Sequence, residues 1–220
     1  HVLMHQTING NEAIMQMEMA GDYPDIIVGC TGGGSNLSGL MFPFLGQQLR
    51  GGQKIDIIGC EPASCPSFTK GKYAYDHGDM AKMTPLIKMH TLGSDFLPPA
   101  NHSGGLRYHG MSYHLSHLYD LGLMRAKAYA QKDCFEAGLA FAKQEGIIPA
   151  PEGNHAVKGA IDAAIECKEK GESKTILFNL CGHGYFDMSA YDDYLNGTMA
   201  EDVIDEEGIN KSISMIPEVA

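Results

Sequence analysis

The chain has 220 residues, of which 44% are hydrophobic and 20% are charged, a composition typical of a globular protein rather than a disordered or fibrous one. Its formal net charge of -11 disfavours binding to nucleic acid or to an anionic membrane surface. The apolar runs are broken by glycine, proline or charge before they reach the roughly 20 residues that a membrane span needs, and no signal peptide is visible.

The first part of the chain predicts helices that alternate with buried strands. We expect a helix over 4–20, a strand over 23–30, a helix over 35–50 and a second strand over 54–62. The second helix contains Gly39 and Pro43, which are expected to break it. Residues 61–132 have weak periodicity and are rich in Gly, Pro, Ser and His, a pattern that favours long loops lining a site or an interface.

Regular structure is predicted again from Asp133, which is interpreted as the N-cap of a helix. In this interpretation Glu136 is the third helical residue and Gly146 ends the helix. Ile147–Ala150 forms a short extended piece. A further helix begins at Asn154 or a neighbour, and its apolar face is formed by Val157, Ile161, Ala164 and Ile165.

Residues 173–184 predict a third buried strand ending in a Gly-rich turn, and the acidic tail after residue 190 is expected to be an arm or a short surface helix. Because strands and helices alternate along the chain, we predict an α/β fold with three layers and a mainly parallel sheet. The six cysteines form no Cys-x-x-Cys pair, which favours buried free thiols in a cytosolic protein.

Three consecutive glycines follow the first strand and precede a helix, which is a pattern suited to binding an anion. Glycines let the backbone N–H groups approach a ligand, and the N-terminus of the helix contributes partial positive charge. The sequence lacks both the Gly-Lys-Ser/Thr of a nucleoside-triphosphate loop and the Gly-x-Gly-x-x-Gly of dinucleotide folds. Taken alone, the loop is either a phosphate site or a turn that only lets helix and strand pack.

Three further segments resemble the β chain of tryptophan synthase, in order and in spacing. They are EGIIPAPEGNHA at 145–156, FNLCGHG at 178–184 and TLGSDFLPPANHSGGLRYHGM at 91–111. The last resembles the second type of this β chain. The family consists of pyridoxal-phosphate enzymes of fold type II, so the resemblance implies pyridoxal 5'-phosphate as cofactor and the conversion of L-serine and indole to L-tryptophan by β-replacement.

The resemblance also implies roles for individual residues. The cofactor phosphate would be held by Gly32, Gly33, Gly34, Ser35 and Asn36. Glu152 would lie beside the cofactor ring, and Cys181 would face the pyridine nitrogen where the family usually has serine. Cysteine is small and neutral like serine but a weaker hydrogen-bond donor, so we expect a modest loss of ring orientation and the same chemistry.

Arg107 departs from the main branch of the family, which has an acidic residue in the matching loop. An arginine there could bind a substrate carboxylate or phosphate, or form an ion pair at the surface. The resemblance leaves open whether the leaving group is hydroxyl or phosphate. It also implies a possible monovalent cation site of backbone carbonyls near Gly32 and residues 105–110.

The family's Schiff-base lysine lies far upstream of the glycine loop, and none of the 13 lysines stands in a matching context. We therefore expect a C-terminal fragment with an incomplete large domain over 1–190 and an acidic arm over 191–220, with no catalytic residue of its own. The fragment alone is predicted to be inactive, to bind the cofactor weakly at most, and to self-associate. A homodimer and a weakly bound α subunit are the partners that the resemblance implies.

Three alternatives remain open. A zinc site would draw on the cluster His90, His102, His109, His114 and His117, although no His-Glu-x-x-His arrangement accompanies it. The chain could instead be a non-catalytic phosphate-binding module. Within the same fold, it could also be a serine or threonine deaminase.

Overall fold

The computed structural model describes residues 1–201 and 205–219. The helices in this part of the chain are α1 (Val2–Ala20), α2 (Ser35–Leu49), α3 (Tyr113–Asp120), α4 (Gln131–Glu145), α5 (Pro151–Lys170), α6 (Met188–Leu195) and α7 (Glu206–Ser214). The strands are β1 (Ile26–Cys30), β2 (Asp56–Pro62), β3 (Lys72–His77), β4 (Leu86–Thr91), β5 (Arg125–Tyr129) and β6 (Ile176–Phe178). Two 3₁₀ turns lie at Gly104–Leu106 and Gly184–Phe186.

Four of the strands form a parallel sheet in the order β5-β2-β1-β6. Cys30 at the end of β1 lies beside Cys60 of β2, and Val28 lies beside Phe178 of β6. Because the strands are parallel, their carboxyl ends meet at one edge of the sheet and their amino ends at the other. The predicted α/β fold with a mainly parallel sheet is confirmed.

Helices cover both faces of this sheet and make the three layers. On one face α2 packs through Leu37 and Phe44 against Ile27 and Ile57, and Ala13 of α1 belongs to the same cluster. On the other face, α4 and α5 cover a second cluster formed by Ile26, Val28, Ile58, Cys60, Tyr129, Cys134, Ala163 and Cys167. All five residues of β1 are buried, as expected for a central strand between two helical layers.

The expected break in α2 is wrong, because the helix continues through both Gly39 and Pro43. A Cβ on Gly39 would lie 2.6 Å from the backbone oxygen of Gln6. A Cβ on Gly10 of α1 would lie 2.4 Å from Leu40 O and 2.7 Å from Pro43 Cδ. The glycines therefore serve a close crossing of α1 and α2, whose packing outweighs the cost of an internal proline.

The predicted start of α4 is also wrong, because the helix begins at Gln131 with Ala130 as its N-cap. Asp133 instead lies within the first turn, where its charge is favourable to the helix dipole. Glu136 is accordingly not the third helical residue. The predicted end is confirmed, since Gly146 caps the helix with φ of 72°.

Helix α5 begins earlier than Asn154, at Pro151 in the first helical position. Its predicted apolar face is only partly correct, because Val157 is buried whereas Ile161 and Ile165 are exposed. Small residues face the sheet instead: a Cβ on Gly159 would lie 2.3 Å from Cys60 Sγ. Close approach of α5 to the sheet thus leaves Ile161 and Ile165 on the outer surface of the helix.

The interpretation of 61–132 as long loops is only partly correct, because several regular elements interrupt the loops. This region contains the antiparallel pair β3–β4, helix α3 and β5, which is the fourth strand of the main sheet. The third predicted strand is shorter and less buried than expected, since β6 has three half-buried residues at the sheet edge.

The tail after residue 190 contains the end of α6 and all of α7. Ile209 of α7 packs against Leu92 and Phe96, and Tyr191 is buried against Phe135. Part of the predicted arm, at 202–204 and 220, lies outside the described residues. In the part of the chain that the structure describes, none of the six cysteines forms a disulfide and five are buried, as predicted, with Cys181 half-buried. Within the described ranges, no helix is long and apolar enough to cross a membrane.

Candidate functional site at the carboxyl edge of the sheet

The glycine loop connects β1 to α2 at the carboxyl edge of the sheet. Gly34 is the N-cap residue of α2, with φ of 93° and no capping side chain. This backbone conformation favours glycine, since side chains rarely adopt it. The first-turn N–H groups of α2, which begin at Ser35, lack partners inside the helix, so the loop presents donors and the positive end of the helix dipole together.

Two of the three glycines are also required by packing. A Cβ on Gly32 would lie 2.7 Å from Gly105 O, and one on Gly34 would lie 2.8 Å from Met111 Sδ. Gly33 differs, because its nearest neighbour would be the Tyr108 ring at 3.7 Å, an ordinary van der Waals distance. The segment from Gly105 to Met111 therefore covers the loop but leaves room above Gly33.

Two buried hydroxyl groups flank the loop without a hydrogen-bond partner in the described part of the chain. They are Thr31 Oγ1, directly before the glycines, and Ser112 Oγ. Ser112 is held against the loop by its backbone N–H, which donates to Gly33 O at 3.1 Å. Sequence reasoning missed Ser112, since it comes 76 residues or more after the loop and no motif marks it. An unpaired buried hydroxyl costs free energy unless a ligand satisfies it.

Cys181 lies at the same edge, beside the end of β1. Its Sγ is 3.4 Å from Cys30 Sγ, and Asn179 Nδ2 donates to Asn36 Oδ1 at 2.9 Å. The side chain of Asn36 is thus engaged by its neighbours, which leaves its backbone N–H as the group available to an anion. Cys30 was not singled out from the sequence, although its place two residues before Gly32 is a usable signal.

The two thiols have opposite pKa shifts. The hydrogen bond with Cys181, and then burial, raise the pKa of Cys30 well above its ordinary value. The pKa of Cys181 is lowered, first of all by its hydrogen bond with Cys30. Cys181 is therefore the thiol of the pair that ionises first.

Glu152 stands in the first turn of α5 and closes the site from the other face of the sheet. Its Oε1 accepts a hydrogen bond from Gly105 N at 2.8 Å. Next to it, a Cβ on Gly153 would lie 3.2 Å from Cys181 O, so the start of α5 also contacts the Cys181 backbone. The structure thus brings together the glycine loop, Glu152 and Cys181, which the sequence separates by up to 149 residues.

Glu61, at the carboxyl end of β2, is a fully buried carboxyl group at this edge. It accepts hydrogen bonds from the backbone N–H groups of Phe68 and Thr69, both at 2.9 Å, and from the Thr69 hydroxyl at 2.7 Å. Burial nevertheless dominates and raises the pKa of Glu61 to about 7. The sequence did not identify this residue.

Arg107 lies on the exposed rim of the covering segment. Its Nη2 donates to Pro98 O at 2.6 Å, and within the described residues it has no carboxylate partner. The geometry neither joins it to the glycine loop nor ties it into an ion pair.

The histidines of the proposed zinc cluster are distributed over several surroundings. His90 stacks on Tyr73, with ring centroids 4.9 Å apart, and His109 Nε2 lies 2.9 Å from His77 O. In the ranges 1–201 and 205–219, no group of three or more His, Cys, Asp or Glu side chains is placed to hold a metal ion.

A cavity of about 360 Å³ reaches Asn36, Asn179 and Cys181. A larger apolar cavity of about 670 Å³ lies away from the loop, between α2, α3 and the β3–β4 pair.

The comparison with known families agrees with the fold, with the glycine loop and with the downstream segments 145–156 and 178–184. The model of the family described as "Pyridoxal-phosphate dependent enzyme" matches residues 5–182. The chain belongs to this family. The residues at the carboxyl edge fit pyridoxal phosphate. The first turn of α2 offers free N–H donors for a phosphate, and two hydroxyl groups without a partner in the described residues lie next to it.

Curated relatives support the narrower resemblance. The chain is 57% identical over 204 residues to tryptophan synthase beta chain 2 of Aquifex aeolicus, covering 91% of this chain and 47% of the relative. It is 53% identical to tryptophan synthase beta chain 2 of Methanosarcina mazei, covering 90% of this chain and 45% of that relative. The resemblance to second-type β chains is confirmed, and the chain spans about half the length of these relatives.

Solved structures with the same fold are more distant in sequence. A fungal L-serine ammonia-lyase from Rhizomucor miehei has a TM-score of 0.62 at 14% identity, covering 87% of this chain and 56% of that chain. A threonine deaminase from T.th. has a TM-score of 0.59 at 15% identity, covering 82% of this chain and 53% of that chain. At these identities the likeness shows the fold alone, which is that of fold type II pyridoxal-phosphate enzymes.

Proposed function

We propose that this chain is the cofactor-phosphate-binding portion of a tryptophan synthase β-type lyase, which converts L-serine and indole to L-tryptophan by β-replacement. The observation that carries the proposal is the glycine loop at the start of α2, with Glu152 and Cys181 at the same sheet edge. Identity of more than half to β chains of the second type supports the choice of reaction.

Each site residue then has a physical task. The N–H groups of Gly33, Gly34 and Ser35 would donate to the phosphate, and Ser112 Oγ would gain a partner. Bound pyridoxal phosphate supplies the electron sink that weakens bonds at the α-carbon of an amino acid. Cys181, as a neutral thiol, would leave the pyridine nitrogen unprotonated and so temper that sink.

Glu152 would act as a positioning group beside the cofactor ring. Its carboxylate holds the backbone of Gly105, and therefore the segment that covers the glycine loop. Arg107, on the rim of that segment, could bind a substrate carboxylate or phosphate. Backbone carbonyls near Gly32 and 105–110 would form the possible monovalent cation site.

The remaining features of the proposal concern the longer protein. We place residues 1–190 in its large cofactor domain and 191–220 in an acidic arm, with a homodimer, a possible α subunit and a cytoplasmic location. Because no lysine stands in the family's Schiff-base context, we expect no turnover of indole and L-serine by this chain alone. Turnover by the purified chain would refute that expectation.

Deamination of serine or threonine is the second candidate, since both distant structural neighbours carry such names. Their identity of 14–15% compares with 50% or more to the tryptophan synthase β chains, which favours β-replacement. In a protein that restores the missing half, formation of a 2-oxo acid from serine without indole would favour deamination instead.

A pair of glycine substitutions tests the phosphate site. In Gly33→Ala the new methyl group meets nothing closer than 3.7 Å, so the fold should persist, and we expect the methyl group to hinder close approach of a phosphate to the loop backbone. Gly46→Ala, in the last turns of the same helix and 3.4 Å from the Arg50 side chain, is the matched control. We expect equilibrium dialysis to show binding of pyridoxal phosphate reduced at least about tenfold in Gly33→Ala, a loss of about 1.4 kcal/mol, and unchanged in Gly46→Ala. Equal binding by both variants would contradict the proposed site.

A further inference from the structure

Two thiols lie in van der Waals contact at the edge of the candidate site. Cys30 Sγ and Cys181 Sγ are 3.4 Å apart, although 150 residues separate them in sequence. A disulfide requires a sulfur separation of about 2.05 Å, so the two atoms must approach by a little more than 1 Å. Cys181 precedes Gly182, whose φ of 76° marks a turn, so the chain can adjust there more easily than within a strand.

The two sulfurs differ in their access to reagents. Cys30 is 1% exposed, whereas Cys181 is half-buried and lines the cavity of about 360 Å³ between α1, α2 and β6. Glu12 also lines this cavity. A small cationic reagent is therefore favoured there over an anionic one, and it would meet Cys181 first.

We infer that Cys30 and Cys181 form a reactive dithiol that a small organic disulfide converts into an intrachain disulfide. The Cys181 thiolate attacks one sulfur of the reagent, forms a mixed disulfide and expels the first reagent thiol. Cys30 then loses its proton and attacks Cys181 Sγ, which expels the second reagent thiol. The two protein thiols lose two electrons and two protons in total, and the reagent disulfide is reduced to two thiols.

The electrostatics favour this order of events. The hydrogen bond between the two thiols raises the pKa of Cys30 and lowers the pKa of Cys181, so Cys181 holds the larger thiolate fraction. The same contact places the second thiol at the sulfur that it must attack. The inference is independent of the proposed function, because it needs neither cofactor nor substrate.

The test treats the 220-residue chain, without cofactor, with cystamine as a cationic disulfide. We expect free thiols to fall from six to four, with the intact mass lower by two hydrogen atoms and a Cys30–Cys181 cross-link in the peptide map. Dithiothreitol should restore all six thiols. A count that stays at six, or a cross-link between other cysteines, would overturn the inference.

Single substitutions separate the two chemical steps. Cys30→Ala should stop at a stable cysteamine adduct on Cys181, whereas Cys181→Ala should leave Cys30 unmodified because it is buried. Cys167→Ala, which removes a buried thiol from α5, is the control that should still form the cross-link. Adduct formation at Cys30 in the Cys181→Ala variant would contradict the assigned order, and matching far-ultraviolet circular dichroism would establish that each variant is folded.

A further arm rests on the proposed function. If pyridoxal phosphate binds beside Cys181, its presence should slow the loss of the two thiols. Cross-linking that is not slowed by pyridoxal phosphate would support the reactive dithiol and count against the cofactor site alone. Slower formation of a cysteamine adduct on Cys181, in a chain that forms no cross-link, would count against the dithiol alone.

Discussion

The two edges of the parallel sheet use polar groups in different ways. At the amino edge, Asp25 accepts hydrogen bonds from Thr175 N at 2.9 Å and from Gln53 Nε2 at 3.2 Å. Asp56, at the start of β2, accepts hydrogen bonds of 2.8–3.1 Å from both Nε and Nη2 of Arg125, which lies at the start of β5. These contacts connect all four strands where they begin.

At the carboxyl edge, several groups are instead buried at a cost. Thr31 Oγ1 and Ser112 Oγ have no partner within the described residues, and Glu61 is held in a site that disfavours its charge. Such costs are typical of functional sites, where ligands supply the missing interactions. Polar contacts at the amino edge therefore hold the sheet together, whereas the carboxyl edge keeps the unpaired polar groups on which the proposed ligand site rests.

The largest expected effect is a pH dependence that originates from Glu61. Its folded pKa of about 7 lies above the ordinary value of 4.5, so the unfolded chain releases this proton first as pH rises. The free energy of unfolding should therefore fall between pH 4.5 and 7, by roughly 3 kcal/mol from this group. Urea unfolding across this range should show the slope, and Glu61→Gln should remove it. An identical slope in Glu61→Gln would mean that Glu61 carries no such cost.

The next largest effect is a difference in stability between alanine variants of two adjacent glycines, Gly32 and Gly33. Gly32→Ala places a methyl group 2.7 Å from Gly105 O and 2.8 Å from Leu106 Cα, both of which are backbone atoms. We expect a loss of about 2 kcal/mol in the free energy of unfolding, against almost none for Gly33→Ala. Thermal unfolding measures both. Equal stability of the two variants would contradict the close packing of residues 105–106 on the loop.

A smaller effect should have the opposite sign. Thr31→Val removes a buried hydroxyl that lacks a partner, while keeping the β-branched shape. The chain without cofactor should gain about 1 kcal/mol of stability. Chemical unfolding of both proteins measures this gain, and destabilisation instead would indicate that the hydroxyl is satisfied.

The smallest effect belongs to the amino edge. Arg125 and Asp56 are 38% and 43% exposed, so solvent screens their ion pair. Arg125→Ala should cost about 0.5 kcal/mol of stability and leave binding of pyridoxal phosphate unchanged. A change in cofactor binding would break the division of roles between the two edges.

Local signals in the sequence predicted much of the fold but less of the site. The alternation of apolar runs located β1, β2 and their helices, and the glycine loop marked its own chemistry. Gly39, by contrast, led to the wrong prediction of a broken helix. Its role is a close contact with Gln6 of α1, and a local pattern does not show such a contact. Ser112 reaches the site only through tertiary packing, so no local pattern could identify it.

The most direct test of the central claim is to locate bound pyridoxal phosphate by amide NMR. Titration into the ¹⁵N-labelled chain should shift the amide signals of Gly33, Gly34 and Ser35 most strongly, with smaller changes at Ser112 and Cys181. Pyridoxal without the phosphate should shift them far less. The largest changes at Tyr73, His114 and Leu118, around the apolar cavity, would contradict the assignment of the carboxyl edge as the cofactor site.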